Sequence, residues 1–250
     1  MVLSALRGAL GFLTRLPAGH DESSWDAFRS TPVAFPLAGY VIGTLLAVPV
    51  ALPVVLPVPA SVVAFLFVLA VVAVTGITHL DGLADLGDAA VVHDAGRRRE
   101  TMKDTQVGVG GTTAVVLGLA GLALAGLALA DLPLRVAAGL VVAAEVTAKL
   151  SMAGIAAFGT AAHEGLGSQV VDGSRRGFLV PALVALPVGV LTWPSPAAAV
   201  GLIAGLGAAW LLARWVREWL GGVSGDVLGA ANEISRLAVL HVGVVVWTAL

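Results

Sequence analysis

Long apolar runs alternate along this chain with links of two contrasting kinds. Crossing roughly 30 Å of hydrocarbon takes about 17 to 25 helical residues. Runs of that order lie at 33–56, 58–78, 109–130, 134–160, 178–193, 197–213 and 237–250, the fifth and seventh being short for a span. The pattern predicts an all-α polytopic membrane bundle of about seven spans, forming one domain over 1–250. No repeat of 20 to 50 residues is visible. The opening MVLSALRGALGFLTRLP is too short to cross and carries Arg7 and Arg15 at helical spacing. It reads as an interfacial or re-entrant helix, and it lacks the small-residue cleavage site of a signal peptide.

Three links, VLPVPA, DLPLR and WPSPA, are tight and carry proline, as antiparallel helices require. The others hold the charge: residues 1–30, 79–106, 161–176 and 214–236 carry 26 of the 30 charged side chains. Hairpin alternation puts these four segments on one face. That face also collects 12 of the 14 Lys and Arg, so the positive-inside rule makes it cytoplasmic, in an inner membrane with lipid as its surroundings. Composition agrees, with 58% hydrophobic and 12% charged residues against roughly 25% charged in soluble domains. A mean hydropathy of +0.96 excludes disorder and a nucleic-acid binder, and a net charge of -2 says little about partners. With no cysteine, chemistry rests on Asp, Glu, His, Lys and Arg.

Asp81, Asp85 and Asp88 stand at i, i+4, i+7. On a helix they fall within roughly 60° of one another, where like charges repel. A divalent cation converts that repulsion into binding, and Mg²⁺ suits best, since it uses one or two carboxylates, keeps waters and takes further ligands from substrate phosphates. A solvated helix face is the plainer alternative. Lys103 and Asp104 follow, then a GVGG turn whose Gly108, Gly110 and Gly111 could offer backbone N–H groups to a phosphate. Arg97, Arg98 and Arg99 read as cytoplasmic anchors, and His79 and His93 as hydrogen-bonded structural residues before bases.

A second polar cluster runs from Arg214 to Arg236. Its GGVSG turn, with Gly225, leads into a helix beginning near Asp226, and Glu233 lies on the same face at i+7. This makes a second acidic face beside the first, or simply a helix capped by Asp226.

HLDGLADLGDA at 79–89, MKDTQVGVGG at 102–111 and GGVSGDVLGAANE at 221–233 resemble the signatures of the cobalamin synthase (adenosylcobinamide-GDP ribazoletransferase) family. FLTRLP at 12–17 and FPLAGYVIG at 35–43 resemble its N-terminal blocks, so the likeness covers most of the chain in order. The family pattern A-R-x-x-G-L-G stands here as AAHEGLG, with Ala162 in the arginine's place, which leaves Arg175 or Arg176 to supply that phosphate contact. The resemblance implies transfer of the corrinoid phosphate of adenosylcobinamide-GDP to alpha-ribazole or its 5'-phosphate, with release of GMP. It implies a late step of nucleotide-loop assembly, Mg²⁺ dependence and an inner-membrane location. On that reading Mg²⁺ sits on Asp81, Asp85 and Asp88, and Asp85 or Asp88 takes the attacking hydroxyl's proton. Lys103, Asp104, Gly110, Arg175, Gly225, Asp226 and Glu233 bind a second metal or substrate phosphates. A homo-oligomer stays open.

A CDP-alcohol phosphotransferase would continue D-G-x-x-A-R where this chain has Asp85, and a membrane prenyltransferase would show D-D-x-x-D. A transporter would carry ionisable groups at mid-membrane, where only Glu145 and Lys149 qualify, and these pair with each other at i, i+4.

Overall fold

A computed structural model of the chain describes residues 1–18, 21–102, 106–162, 166–170 and 175–250. Among these, every regular element is helical. Five helical stretches are long and apolar enough to cross a membrane: Ala34–Val55, Val109–Ala130, Leu134–Phe158, Ala197–Trp219 and Gly225–Ala249. The first is built from α3 (Ala34–Leu46) and α4 (Val48–Val55), following α1 (Val2–Leu13) and α2 (Glu22–Arg29). A sixth span is reached only if α5 (Ala60–Thr75) and α6 (Thr78–Val91), bent by 97° at their junction, count as one.

The expectation of about seven therefore changes at three places, the first being the run at 58–78, whose helix α5 counts as a span only together with α6. The run at 178–193 is only the short apolar pair of α11 (Leu179–Ala185) and a 3-10 turn, Leu186–Val190. The run at 237–250 is the far half of a 25-residue helix that starts at Gly225. Between α6 and α11 lie α7 (Ala95–Thr101), α8 (Val109–Ala130), α9 (Leu134–Phe158) and α10 (Leu166–Val170); α12 (Ala197–Trp219) and α13 (Gly225–Ala249) close the chain.

α9 is the axis. Of its most apolar window 89% is buried, against 28% for α8 and for α12. It packs against α3, α12 and α13. A Cβ on Gly39 or Gly43 of α3 would stand 2.7 Å from the Cα of Val146 or Val142, so only glycine lets those two backbones meet. Outside, Phe65, Leu117, Ile203, Leu211 and Val245 are each more than half exposed. That girdle would drive association in water and matches hydrocarbon in a membrane.

Contacts at the two ends sort the links. Arg135 Nη1 donates to Trp193 O at 2.7 Å, joining two proline turns. At the other end Arg15 N reaches Val74 O at 2.8 Å, and Trp25 Nε1 reaches Gln169 Oε1 at 3.0 Å. There also Val223 N donates to Thr160 O (2.8 Å) and Ala162 N to Val223 O (2.9 Å). Three of the four charged segments thus meet at one end, beside the last turn of α5. α1 is amphipathic and only 12 residues long, buried through Ala5, Gly8, Ala9, Gly11 and Leu13.

Candidate active site

The chain breaks after α5 because Gly76 has φ +71°, a left-handed geometry that β-carbons resist. The new helix, α6, is 14 residues or about 21 Å long, too short to cross alone, and carries its three aspartates along one side, from its first turn to Asp88. One face packs through His79, Gly82, Leu83 and Leu86, leaving Asp81 exposed and Asp85 half-buried.

α13 starts beside it. Gly221, at φ +82°, turns the chain out of α12. Ser224 is the N-cap, its hydroxyl accepting from Val227 N, so the cap duty that sequence alone could give to Asp226 belongs to its neighbour. Ser224 Oγ also donates to Asp226 Oδ2 at 3.2 Å. A Cβ on Gly82 would lie 2.4 Å from Asp226 O, so the two helices touch backbone to backbone there. Gly225 has open space over its Cα. The two acidic segments meet in consequence. Burial pushes the Asp85 carboxyl up to about 6, helped by the nearby charges of Asp226, Asp81 and Asp88.

Asp88 has other employment. Its Oδ2 accepts from Gly108 N at 2.7 Å and its Oδ1 from Gly111 N at 2.8 Å, tying α6 to the first turn of α8. The GVGG N–H groups at 108 and 111 are directed at this carboxylate. A Cβ on Gly111 would stand 2.5 Å from Asp88 Oδ2, and one on Gly110 would stand 2.5 Å from Gly87 O. These glycines let two helices close on each other. Arg98 likewise secures α6, donating to Val92 O (2.6 Å) and His93 O (2.9 Å) beyond its C-terminus. Its guanidinium also lies 3.7 Å from the Trp219 ring centroid.

Glu233 is not brought to Asp226. It is 2% exposed, and both its oxygens accept from Arg236 Nη1 at 2.6 Å. Arg236 also bonds Glu145, whose Oε2 is 3.1 Å from Lys149 Nζ. The Glu145–Lys149 pair is therefore present, yet it forms half of a four-charge cluster of zero net charge between α9 and α13. Arg236, counted with the surface cations from sequence alone, is 1% exposed. Asn232, overlooked in the sequence, completes the cluster. Lys149 Nζ donates to its Oδ1 at 2.6 Å, and its Nδ2 lies 3.1 Å from both Glu233 Oε1 and His79 Nδ1. The signal was the i, i+3 spacing of Glu233 and Arg236. Lys103 and Asp104 lie outside the described residues, and so does the side chain of Arg175.

Among the described residues no three acidic or imidazole groups converge closely enough to enclose an ion. Asp81, Asp85 and Asp226 instead form an open acidic rim on two abutting helices. Such a donor set fits a Mg²⁺ that takes one or two carboxylates and completes its shell from water and substrate phosphates.

The profile of the cobalamin-5-phosphate synthase family matches residues 5–244. The chain belongs to that family. It is 49% identical over 255 residues to an adenosylcobinamide-GDP ribazoletransferase of Haloquadratum walsbyi and 52% identical over 260 residues to one of Halorubrum lacusprofundi, each comparison covering 99% of both chains. A Halobacterium salinarum protein of that name is 54% identical over 193 residues, 76% of this chain and 96% of its own. No solved structure matches. The fold brings the family-like HLDGLADLGDA and GGVSGDVLGAANE segments into contact, Gly82 against Asp226.

Proposed function

We propose that this chain transfers the adenosylcobinamide phosphate moiety of adenosylcobinamide-GDP to alpha-ribazole or its 5'-phosphate and releases GMP, the reaction for which its relatives are named. The observation that carries the site assignment is the backbone contact of Gly82 with Asp226, which sets the aspartates of α6 beside the start of α13. We read the polar end as facing the cytoplasm from the cell's inner membrane, because the basic residues gather there.

The chemistry requires a hydroxyl nucleophile, a pyrophosphate electrophile and a nucleoside monophosphate leaving group. Asp85 takes the hydroxyl proton as the ribose oxygen attacks phosphorus. A carboxyl held at about 6 is largely ionised at neutral pH and more basic than an ordinary aspartate. The oxygen–phosphorus bond to GMP breaks as the new ester forms, and GMP departs as a phosphate anion. Asp81 and Asp226 flank this centre and are the groups that would hold Mg²⁺, with Asp88 fixing α6 through Gly108 and Gly111. When bound, Mg²⁺ supplies neutralisation of charge on the transferring and departing phosphates. Gly225, with open space above it at the start of α13, leaves room for a phosphate group.

The test is release of GMP from adenosylcobinamide-GDP by purified protein with alpha-ribazole, with and without Mg²⁺. Corrinoid product and GMP in equal amounts are expected, only with the metal. Production without Mg²⁺ removes the metal from the account, and no product with either acceptor removes the reaction.

A further inference from the structure

We propose that Asn232 is a positioning residue: through His79 it fixes the station of α6 on α13, and so the placement of Asp81 and Asp85 against Asp226, from within the charged cluster of the bundle. The inference rests on the reading of those aspartates as the reactive end.

The α6–α13 contact is smooth. Gly82 lies against Asp226, and a Cβ on Gly229 would stand 3.1 Å from His79 Cα. Backbone on glycine gives proximity and little resistance to sliding. Asp226, Gly229 and Asn232 follow i, i+3, i+6, one stripe of α13 beneath α6. At the inner end of that stripe Asn232 is fully buried and spends its amide on three helices. Its oxygen is held by Lys149 of α9 at 2.6 Å, which fixes the amide's orientation and points Nδ2 at His79 Nδ1, 3.1 Å away on α6. Lys149 is itself held by Glu145, which Arg236 also bonds. A buried polar contact whose partners cannot be exchanged is the best-attested device for setting helix register. Its absence would leave α6 held to α8 by Asp88 but loosened on α13, where a slip of one residue is about 1.5 Å along the axis. Misplacement of about 1 Å costs on the order of 100-fold in rate.

The test uses Asn232→Leu, His79→Leu and His79→Asn in the full chain, the last keeping an acceptor near the Nδ1 position. His79→Leu leaves the four charges paired, so it reports even if Asn232→Leu does not fold. Spin labels on cysteines introduced at Val91 and Val245, both exposed, measure the station of α6 without reference to activity. Expected are a broadened label distance, a kcat at least about tenfold lower and a raised Mg²⁺ half-saturation in both Leu variants, with recovery in His79→Asn. An unchanged label distance in His79→Leu overturns the proposal. So does a His79→Asn as inactive as His79→Leu beside an active Asn232→Leu, which would make His79 a catalytic group. A broadened distance with unchanged kcat and Mg²⁺ response leaves the tie standing and instead overturns the assignment of the aspartates.

Discussion

Replacing Asp88 with Asn separates an anchoring carboxylate from a metal-binding one. Asp88 holds two backbone N–H groups, at Gly108 and Gly111, each with its own oxygen. A hydrogen bond to a charged acceptor contributes about 1.5–3 kcal/mol, against about 1 kcal/mol for a neutral one. Asn keeps one neutral acceptor and turns an NH₂ group toward the other N–H. Gly108 is exposed, so water can partly replace the lost partner there, whereas Gly111 is buried. The net loss is about 2–4 kcal/mol, or about 5–15 °C in Tm for a chain of this length. Thermal unfolding in detergent, followed by circular dichroism, gives the Tm; GMP release against Mg²⁺ concentration gives the half-saturation per folded molecule. The Tm should fall while the half-saturation moves little. A normal Tm together with a half-saturation raised tenfold or more would refute the anchor and restore Asp88 to the metal.

Asp85 makes the rate and the stability depend on pH in opposite senses. Its carboxyl is raised from 3.8 to about 6, so turnover should climb as pH rises through about 6, while the contribution of Asp85 to stability is full below about 3.8 and is lost as pH rises from there through about 6; a flat rate profile between 5 and 7 counts against Asp85 as the base. Because Ser224 and not Asp226 caps α13, Asp226→Asn should keep its Tm and lose most activity in a GMP assay. Single cysteines at Val91, Ala162 and Glu218 should be labelled from the cytoplasm and those at Leu56 and Trp193 from outside, and a mixed result would break the shared polar end. Gly111→Ala should cost about 1–3 kcal/mol of stability, the usual penalty for crowding, because its Cβ meets Asp88 and Ala84 O.

Spans whose interior is uniformly apolar were legible from one dimension. The runs 109–130 and 134–160 correspond to Val109–Ala130 and Leu134–Phe158 almost residue for residue. α13 was not, because Asp226, Glu233 and Arg236 made its first half look too polar for lipid. Glu233 is paired with Arg236 on the same helix and Arg236 also with Glu145 of α9, and hydropathy carries no information about a partner 91 positions away. The α5–α6 break was hidden for the opposite reason: the apolar run continues through Gly76, and a single left-handed glycine redirects it. In the candidate site, the i, i+4, i+7 spacing correctly placed three aspartates on one helix, yet spacing could not say that the third is held by N–H groups 20 and 23 residues later. The glycines of GVGG carried the same ambiguity, since close packing and phosphate binding both call for a bare backbone.

Metal binding across the α6–α13 contact, by Asp81 on one helix and Asp226 on the other, is what the proposed centre stands on. Mn²⁺ binding, followed by electron paramagnetic resonance on purified protein with adenosylcobinamide-GDP present, tests it most directly in the unmodified chain beside Asp81→Asn, Asp226→Asn and Asp88→Asn. Affinity should fall at least about tenfold, about 1.4 kcal/mol, in the first two variants and hold in the third once scaled to folded protein. Undiminished Mn²⁺ binding in folded Asp81→Asn and Asp226→Asn would contradict it.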